Sequence, residues 1–321
     1  MNILITGCLG QDGSYLTEHM IQNGHTVWGI TRRRSSDALS YGHLSHLRDN
    51  SNFHLIHGDI NDSSFMNEII SSQKPDRLFH LAAQSHVHHS FSSPMETFET
   101  DATATLIILD AIKKWSPKTK VYIANTSELF GGDNCPEKGY NENSPFHPKS
   151  PYAVAKLSSY WMGEVYKNSY NLFVTNGILF NHSSPRRGLD FVEAKIAHTC
   201  REIFFEDKTI KLKLGNIYSK RDIGHAKTYV KAMNKMLDLN EPQNFVISTG
   251  ETHTIKEMID CLSEYKGYDF MQNVVISPDL FRPNEVPYLL GDSSKAKKEL
   301  GIDLYVPIKN IMKEIFDCEN K

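Results

Sequence analysis

Six apolar runs of strand length punctuate the first half of the chain: NILIT at 2–6, TVWGI at 26–30, FHLIHGD at 53–59, RLFHLAA at 77–83, KVYIANT at 120–126 and LFVTNGI at 172–178. Between most of them lie amphipathic stretches of helical length, among them YLTEHMIQNG at 15–24, SFMNEIISSQ at 64–73 and ATLIILDAIKKW at 104–115. Strands buried on both faces look like these runs, and their alternation with helices predicts an α/β fold with a doubly wound parallel sheet. In such sheets ligands bind beyond the carboxyl ends of the strands. After about residue 180 the elements become shorter and less regular, with KLKLG at 211–215 and VVIS at 274–277 as strand-like pieces. The expected division is a larger domain over 1–178, to which roughly 216–248 return, and a smaller α/β domain over 179–321 that supplies one wall of a cleft.

The first strand runs into TGCLGQDG at 6–13, which places Gly7, Gly10 and Gly13 between a strand and a helix. Glycines there permit a tight turn, close approach of backbone to a pyrophosphate and close helix packing, and the helix N-terminus favours an anion. The sheet is therefore read as Rossmann-type. After the second strand, where a carboxylate would hold a free ribose 2′-hydroxyl, stand Thr31, Arg32, Arg33 and Arg34. Guanidinium groups suit a 2′-phosphate, so NADP is favoured over NAD.

SPYAVAK at 150–156 carries Tyr152 and Lys156 in YxxxK spacing, one turn apart on one helix face. An ammonium beside the phenol, with the nicotinamide's positive charge, lowers the phenol pKa and lets Tyr152 take a proton as hydride leaves a carbinol carbon. NTSELFGG at 125–132 ends the fifth strand with Thr126, Ser127 and Glu128. A hydroxyl there can bond the substrate oxygen. Hydride chemistry alone needs no carboxylate, so Glu128 either removes a proton alpha to a new ketone, or caps the following turn or faces solvent. His80, His86, His88 and His89 crowd HLAAQSHVHH without a carboxylate or cysteine to complete a metal site, and none is expected. FNHSSPRRG at 180–188, SKRDIGHA at 219–226 and FRPNEVPYLLGD at 281–292 bring Arg, His and Glu together in a pattern suited to a nucleotide sugar.

Composition narrows the partners. The formal net charge of −3 over 321 residues makes no basic field for nucleic acid or a membrane surface. Cys8, Cys135, Cys200, Cys261 and Cys318 are scattered without a CxxC pair, which fits a reducing compartment. The opening MNILITG has no signal-peptide pattern, and no apolar run approaches the ~18 residues of a membrane span, so a cytoplasmic protein is expected.

Through TGCLGQDGSYL, RRRSS, GDINDSS, LAAQSHV, NTSELFG, SPYAVAK, NGILFNHSSPRRG, KRDIGHAKTYV, TGETHT and FRPNEVPYLLGD the chain resembles, almost end to end, the extended short-chain dehydrogenase/reductases, and within them the GDP-mannose 4,6-dehydratase family. The resemblance implies NADP in the first domain and GDP-mannose in the second. Tyr152, helped by Thr126 and Lys156, would act on the sugar 4-hydroxyl, and Glu128 would take the C5 proton before water leaves from C6. Cofactor contacts are implied for Gly7, Gly10, Gln11, Asp12, Gly13, Arg32, Asp59, Ile60, Leu81, Ala82, Ala83, Ser85, Lys156, His182 and Arg187. Candidates for the sugar nucleotide are Ser85, Asn181, Arg187, Lys195, Arg221, His225, Arg282 and Glu285. A homodimer or homotetramer is implied, with the Arg32 to Ser36 loop near an interface. The chain departs from the family pattern in Ala104, where glycine is common, and in a third arginine after RR. The rival reading is an NADP-dependent sugar-nucleotide 4-reductase or 4-epimerase, which shares the glycine loop and YxxxK pair without needing Glu128. A non-catalytic cofactor sensor would not be expected to keep Thr126, Glu128, Tyr152 and Lys156 together.

Overall fold

The computed structural model describes residues 1–32, 41–281 and 284–318. Residues cluster into two compact units, each assembled from several segments. The first comprises Met1–Leu129, Ser150–Ile178 and Val230–Phe245, and the second Phe130–Lys149, Leu179–Tyr229 and Val246–Lys321. No described helix is long and apolar enough to cross a membrane.

The six apolar runs form strands β1 (Asn2–Thr6), β2 (Thr26–Thr31), β3 (Phe53–His57), β4 (Arg77–His80), β5 (Lys120–Thr126) and β6 (Val174–Leu179). With Phe245–Ile247 they make a seven-stranded sheet whose order runs from that strand through β6, β5, β4, β1 and β2 to β3. The pairs β1–β2, β2–β3, β1–β4 and β4–β5 are parallel, with Leu4 opposite Trp28 and Leu78. This is the expected doubly wound order, which reverses direction between β1 and β4 and leaves a crevice at their carboxyl ends.

Two strands end earlier than their apolar runs. FHLIHGD pairs only to His57 and RLFHLAA only to His80, so Gly58, Asp59 and Leu81 to Ala83 are released to the sheet edge. Helices α1 (Gln11–Gln22), α2 (Ser63–Gln73), α3 (Val87–Ser92), α4 (Pro94–Phe98), α5 (Ala104–Trp115) and α6 (Pro151–Tyr170) supply the layers. The first begins at Gln11 rather than at the apolar Tyr15, because the glycine loop delivers the chain straight into helix with Gly10 as its N-cap. Asp62 caps α2 by accepting from the Ser64 and Phe65 amides, and Ser150 caps α6 from Ala153 with Pro151 in the first turn. Leu4, Ile30, Ile70, Leu78, Ile108 and Val121 belong to one buried cluster of this unit.

The third segment is tied in by charge. Arg77 donates to Asn234 at 2.6 Å and to Asp238 at 2.7 Å. Lys120 Nζ donates to the carbonyls of Leu237 and Leu239 at 2.9 and 2.7 Å, which satisfies the C-terminal end of helix Ala226–Asp238. Asn244 then closes on α6, donating to Glu164 Oε1 at 2.8 Å.

In the second unit strand Lys220–His225 is central: Thr252–Thr254 pairs with it antiparallel, and Tyr288–Leu289 and Asn181–Ser183 pair with it parallel. Helices Val192–Phe205, Ile255–Lys266 and Ile308–Asp317 enclose a separate core around Ile196, Met258, Phe270 and Ile311. Strands Leu212–Leu214 and Val274–Ile276 pair alongside. Asp222, fully buried, accepts from the Thr249 amide and hydroxyl at 2.8 and 2.7 Å, the Gly250 amide at 2.9 Å and the Gly291 amide at 3.3 Å. Burial nevertheless pushes its carboxyl up to about 6. Asp222→Ala strands all of these donors at once, and a loss of about 3 kcal/mol or more is expected in denaturant unfolding. A change below ~1 kcal/mol would mean that water replaces the carboxylate.

Candidate active site

Apart from Lys156, His182 and Arg187, the expected cofactor residues lie just beyond the ends of first-unit strands. After β1 the chain turns at Gly7, whose φ of +71° lies in the left-handed region. A Cβ on Gly7 would come within 2.9 Å of the Ala82 backbone, and one on Gly13 within 2.2 Å of the Gly7 carbonyl oxygen. The loop therefore excludes side chains at two of its three glycines and runs directly into the start of α1. Gln11 and Asp12 open that helix, joined by a 3.1 Å bond from Gln11 Nε2 to Asp12 Oδ1.

Each neighbouring strand adds its own group. Arg32 follows β2 and is exposed, with Glu96 at 4.0 Å; Arg33 to Ser36 lie outside the described residues. Asp59 follows β3, accepting from the Asn61 amide at 2.9 Å, and Ile60 beside it is buried. After β4 the Leu81 and Ala82 amides donate to Thr6 Oγ1, both at 3.1 Å, which ties this loop to the glycine loop. Thr6 Oγ1 also lies 2.9 Å from His80 Nδ1, His80 Nε2 lies 3.2 Å from Thr105 Oγ1, and Thr105 lies 2.8 Å from Ser159 Oγ on α6. Burial pushes His80 down to about 3, so its neutral imidazole acts as a spacer between β1, α5 and α6. His86 instead caps α3 through the His89 amide, and His88 and His89 are exposed. Among the described residues no three His, Cys, Asp or Glu side chains gather as a metal site.

The strand β5 carries the remaining chemistry. Thr126, Ser127 and Glu128 are all buried, at 9, 1 and 7% exposure, although each is polar. The Glu128 amide donates to Thr126 Oγ1 at 3.2 Å, so the hydroxyl is held by the turn that presents the carboxylate. On α6 Tyr152 and Lys156 are likewise buried, at 7 and 3%. Lys156 Nζ donates to the Ala124 carbonyl at 3.0 Å, two residues before Thr126. That bond brings the YxxxK face to the same strand end as the Thr-Ser-Glu turn. Desolvation pushes the Lys156 pKa down, and the nearby Asp101 carboxylate opposes this. The sequence reading missed Asp101, which stands among other polar residues in FETDATAT with nothing to single it out.

The other candidates belong to the second unit. Asn181–Ser183 pairs in register with Ile223–His225, which places FNHSS beside RDIGH. His182 Nδ1 lies 2.8 Å from the Phe180 carbonyl, and its ring centroid is 4.5 Å from that of Tyr229. Arg187 stacks its guanidinium 3.5 Å from the Phe191 ring centroid, with Nε enclosed and unbonded. Arg221, 7% exposed, reaches Glu285 at 3.7 Å, and Ser219 donates to the same carboxylate at 3.3 Å. His225 pairs with Glu314 at 2.7 Å, and burial lowers its pKa. Lys195 is engaged elsewhere, donating to the Lys213 carbonyl at 2.7 Å. Ser85 is exposed beyond β4, in the first unit. Arg282 lies outside the described residues.

Residues 4–315 match the family model described as GDP-mannose 4,6 dehydratase. Over 97% of its length the chain is 41% identical to GDP-mannose 4,6 dehydratase 2 of Caenorhabditis elegans, covering 87% of that protein. It is 40% identical to the human GDP-mannose 4,6 dehydratase, with 98% of this chain and 90% of that one aligned. The Vibrio cholerae O1 enzyme of the same name is 40% identical over 97% of this chain and 91% of its own. Among solved structures, UDP-glucose 4-epimerase of Thermotoga maritima with UDP-glucose superposes with a TM-score of 0.85 at 28% identity, covering 99% of this chain and 98% of that one. The dTDP-glucose 4,6-dehydratase of Bacillus anthracis in complex with NAD gives 0.83 at 20% identity over 98% and 95% of the two chains, a likeness of fold. A glycine loop that only bare backbone can fill, a Tyr-Lys pair brought to the end of β5 and a match along nearly the whole chain lead to one assignment: the chain belongs to the GDP-mannose 4,6-dehydratase family.

Proposed function

We infer that this chain converts GDP-α-D-mannose to GDP-4-dehydro-6-deoxy-D-mannose and water, as a hydro-lyase with a recycled nicotinamide dinucleotide. The observation that carries the reading is Glu128: a buried carboxylate in the turn that follows Thr126, just beyond the end of the strand that Lys156 reaches. A cofactor of this class fits the glycine loop, where added Cβ atoms at Gly7 and Gly13 would meet backbone. Gly7, Gly10, Gln11, Asp12, Gly13, Arg32, Asp59, Ile60, Leu81, Ala82, Ala83 and Ser85 would hold it, with Lys156 on its ribose and His182 and Arg187 as further contacts. When bound, it supplies a hydride acceptor at C4 and returns the hydride at C6, so there is no net redox change.

The protein's own groups move the protons. Tyr152 takes the proton of the 4-hydroxyl, the Lys156 ammonium stabilises the phenolate, and Thr126 Oγ1 donates to the sugar O4. Oxidation at C4 acidifies the C5 hydrogen; Glu128 removes it, and the proton taken up by Tyr152 leaves with the C6 hydroxide as water. Glu128 then returns a proton to C5. The fully desolvated turn strengthens each of these contacts. Asn181, Arg187, Lys195, Arg221, His225, Arg282, Glu285 and Ser85 are proposed for the nucleotide sugar, with Arg187 the best suited to a diphosphate through its unbonded Nε.

NADP is the form proposed, since Arg32 follows β2 where an NAD site would carry a carboxylate. A homodimer or homotetramer is proposed as well, with the Arg32 to Ser36 loop near an interface. It is supported by Val154, Trp161 and Val165, which recur along one face of α6 and are 45, 54 and 47% exposed. A cytoplasmic location fits thiols at Cys8, Cys135, Cys200 and Cys261 that form no disulfide.

The test is to incubate the purified protein with GDP-mannose and sub-stoichiometric NADP⁺ and weigh the product. Loss of one water per sugar nucleotide is expected; a product isomeric with substrate would instead identify an epimerase, and stoichiometric consumption of NADPH in a parallel incubation with excess NADPH would identify a reductase. Glu128→Gln is expected to slow solvent-deuterium exchange at C5 and turnover by about 10²-fold, with dinucleotide affinity little changed. Unaltered exchange would return Glu128 to a turn-capping role.

A further inference from the structure

Between α4 and α5 the helical path is interrupted by a π-turn, Glu99–Thr103. Such turns are rare and concentrate at functional sites. Thr100, Asp101 and Ala102 within it are buried, and Asp101 is fully so. Its Oδ1 accepts from the Gln84 amide at 2.7 Å, in the loop that follows β4. Its Oδ2 is enclosed with no hydrogen-bond partner. A carboxylate in that position is costly unless a cation faces it. The π-turn packs on α6, and the cation there is Lys156, 3% exposed, which interacts electrostatically with Asp101. Of the three N–H donors of its ammonium, one is used by the Ala124 carbonyl.

We propose that Asp101 is a positioning residue, the counter-ion that keeps Lys156 charged beside Tyr152 while its other oxygen fixes the loop after β4. The inference rests on Tyr152 and Lys156 as the proton-transfer pair. Without the carboxylate, Lys156 would stand desolvated against a carbonyl, and burial would drive off its proton. Burial pushes Asp101 up to about 6, while Lys156 and the Gln84 amide hold it down, so the carboxylate is ionised at neutral pH. The other groups around Lys156 do not replace it: Glu128, in the turn after β5, is buried, but the carboxylate that acts on the Lys156 ammonium is Asp101. His80 from β4 is neutral, pushed down to about 3, and Tyr152 on the same helix is the group being served. His88, His89 and Glu96, on α3 and α4, lie exposed, with His89 and Glu96 facing each other at 3.6 Å.

Protein labelled with ¹³C at lysine Cε reports ammonium ionisation directly and needs no substrate; Lys156→Met assigns the resonance. In the wild type the Lys156 signal should carry an inflection near pH 6, where Asp101 takes up a proton. In Asp101→Asn, which keeps an oxygen for the Gln84 amide, Lys156 should titrate at least about one pH unit lower, a tenfold loss of proton affinity. The alkaline limb of kcat for dehydration should move down with it, while KM for GDP-mannose changes by less than about threefold. Identical Lys156 titrations in the two proteins overturn the proposal, and should the variant not fold, a wild-type signal without the inflection does the same. A shifted Lys156 in a protein whose wild type dehydrates nothing keeps the counter-ion and overturns the dehydratase reading.

Discussion

Tyr152→Phe should lower kcat for water loss from GDP-mannose by about 10³-fold, within the range for loss of a positioned general acid–base. The substitution removes a hydroxyl and nothing else. The ring is 7% exposed on a helix whose cap at Ser150 and whose Lys156 bond to Ala124 do not involve that oxygen. Packing and the cofactor loop should therefore survive, with dinucleotide affinity and melting temperature close to wild type. The loss belongs to the first proton transfer, so C5 exchange, which follows oxidation at C4, should fall in parallel. Steady-state rates at saturating substrate and fluorescence titration with dinucleotide separate these outcomes. A variant retaining more than about a tenth of wild-type turnover would mean that another group takes the 4-hydroxyl proton.

The largest structural effect is expected at Gly13. A methyl there would sit 2.2 Å from the Gly7 carbonyl oxygen and 2.7 Å from Cys8 Cα. Both are backbone atoms, so no side chain can swing away, and either α1 must retreat or the loop must open. Gly13→Ala should cost about 3 kcal/mol in unfolding free energy, at the upper end for overpacking. It should also weaken dinucleotide binding by about 100-fold, because the amides that would face the pyrophosphate lie on the displaced segment. Gly24 supplies the control: its φ is +75°, yet nothing lies within 4 Å of an added Cβ. Gly24→Ala should therefore show only the backbone term, about 1 kcal/mol, with binding intact. Equal penalties at the two positions would remove the steric account of the loop.

The sheet was legible because each of its first six strands is an apolar run, and β1 and β5 have the bounds the runs indicated. Where a strand stops is a different matter. Leu81 to Ala83 look as strand-like as Leu78 and Phe79, but pairing with β1 and β5 ends at His80. Hydrophobic content tells which residues can be buried, while the end of pairing is set by neighbouring strands that local sequence does not contain. The Tyr152, Lys156, Thr126 and Glu128 group was readable for the opposite reason: polar residues at the end of an apolar strand and on a helix face have little structural excuse. Asp101 was not readable, since an acidic residue in a helical stretch ordinarily faces water. Only the π-turn and the tertiary approach of α6 show that it faces inward.

The order in which the chain is made gives the clamp on helix Ala226–Asp238 another meaning. Arg77 and Lys120 emerge early in synthesis, but the groups they bind, Asn234, Asp238 and the Leu237 and Leu239 carbonyls, come far later. The strand Phe245–Ile247 that borders β6 is later still. The first unit therefore cannot be completed on the ribosome until the whole of the second unit's central strand, Lys220–His225, has been translated. Until then β6 waits as an unpaired edge, the stage at which a nascent chain of this design most needs protection from its neighbours.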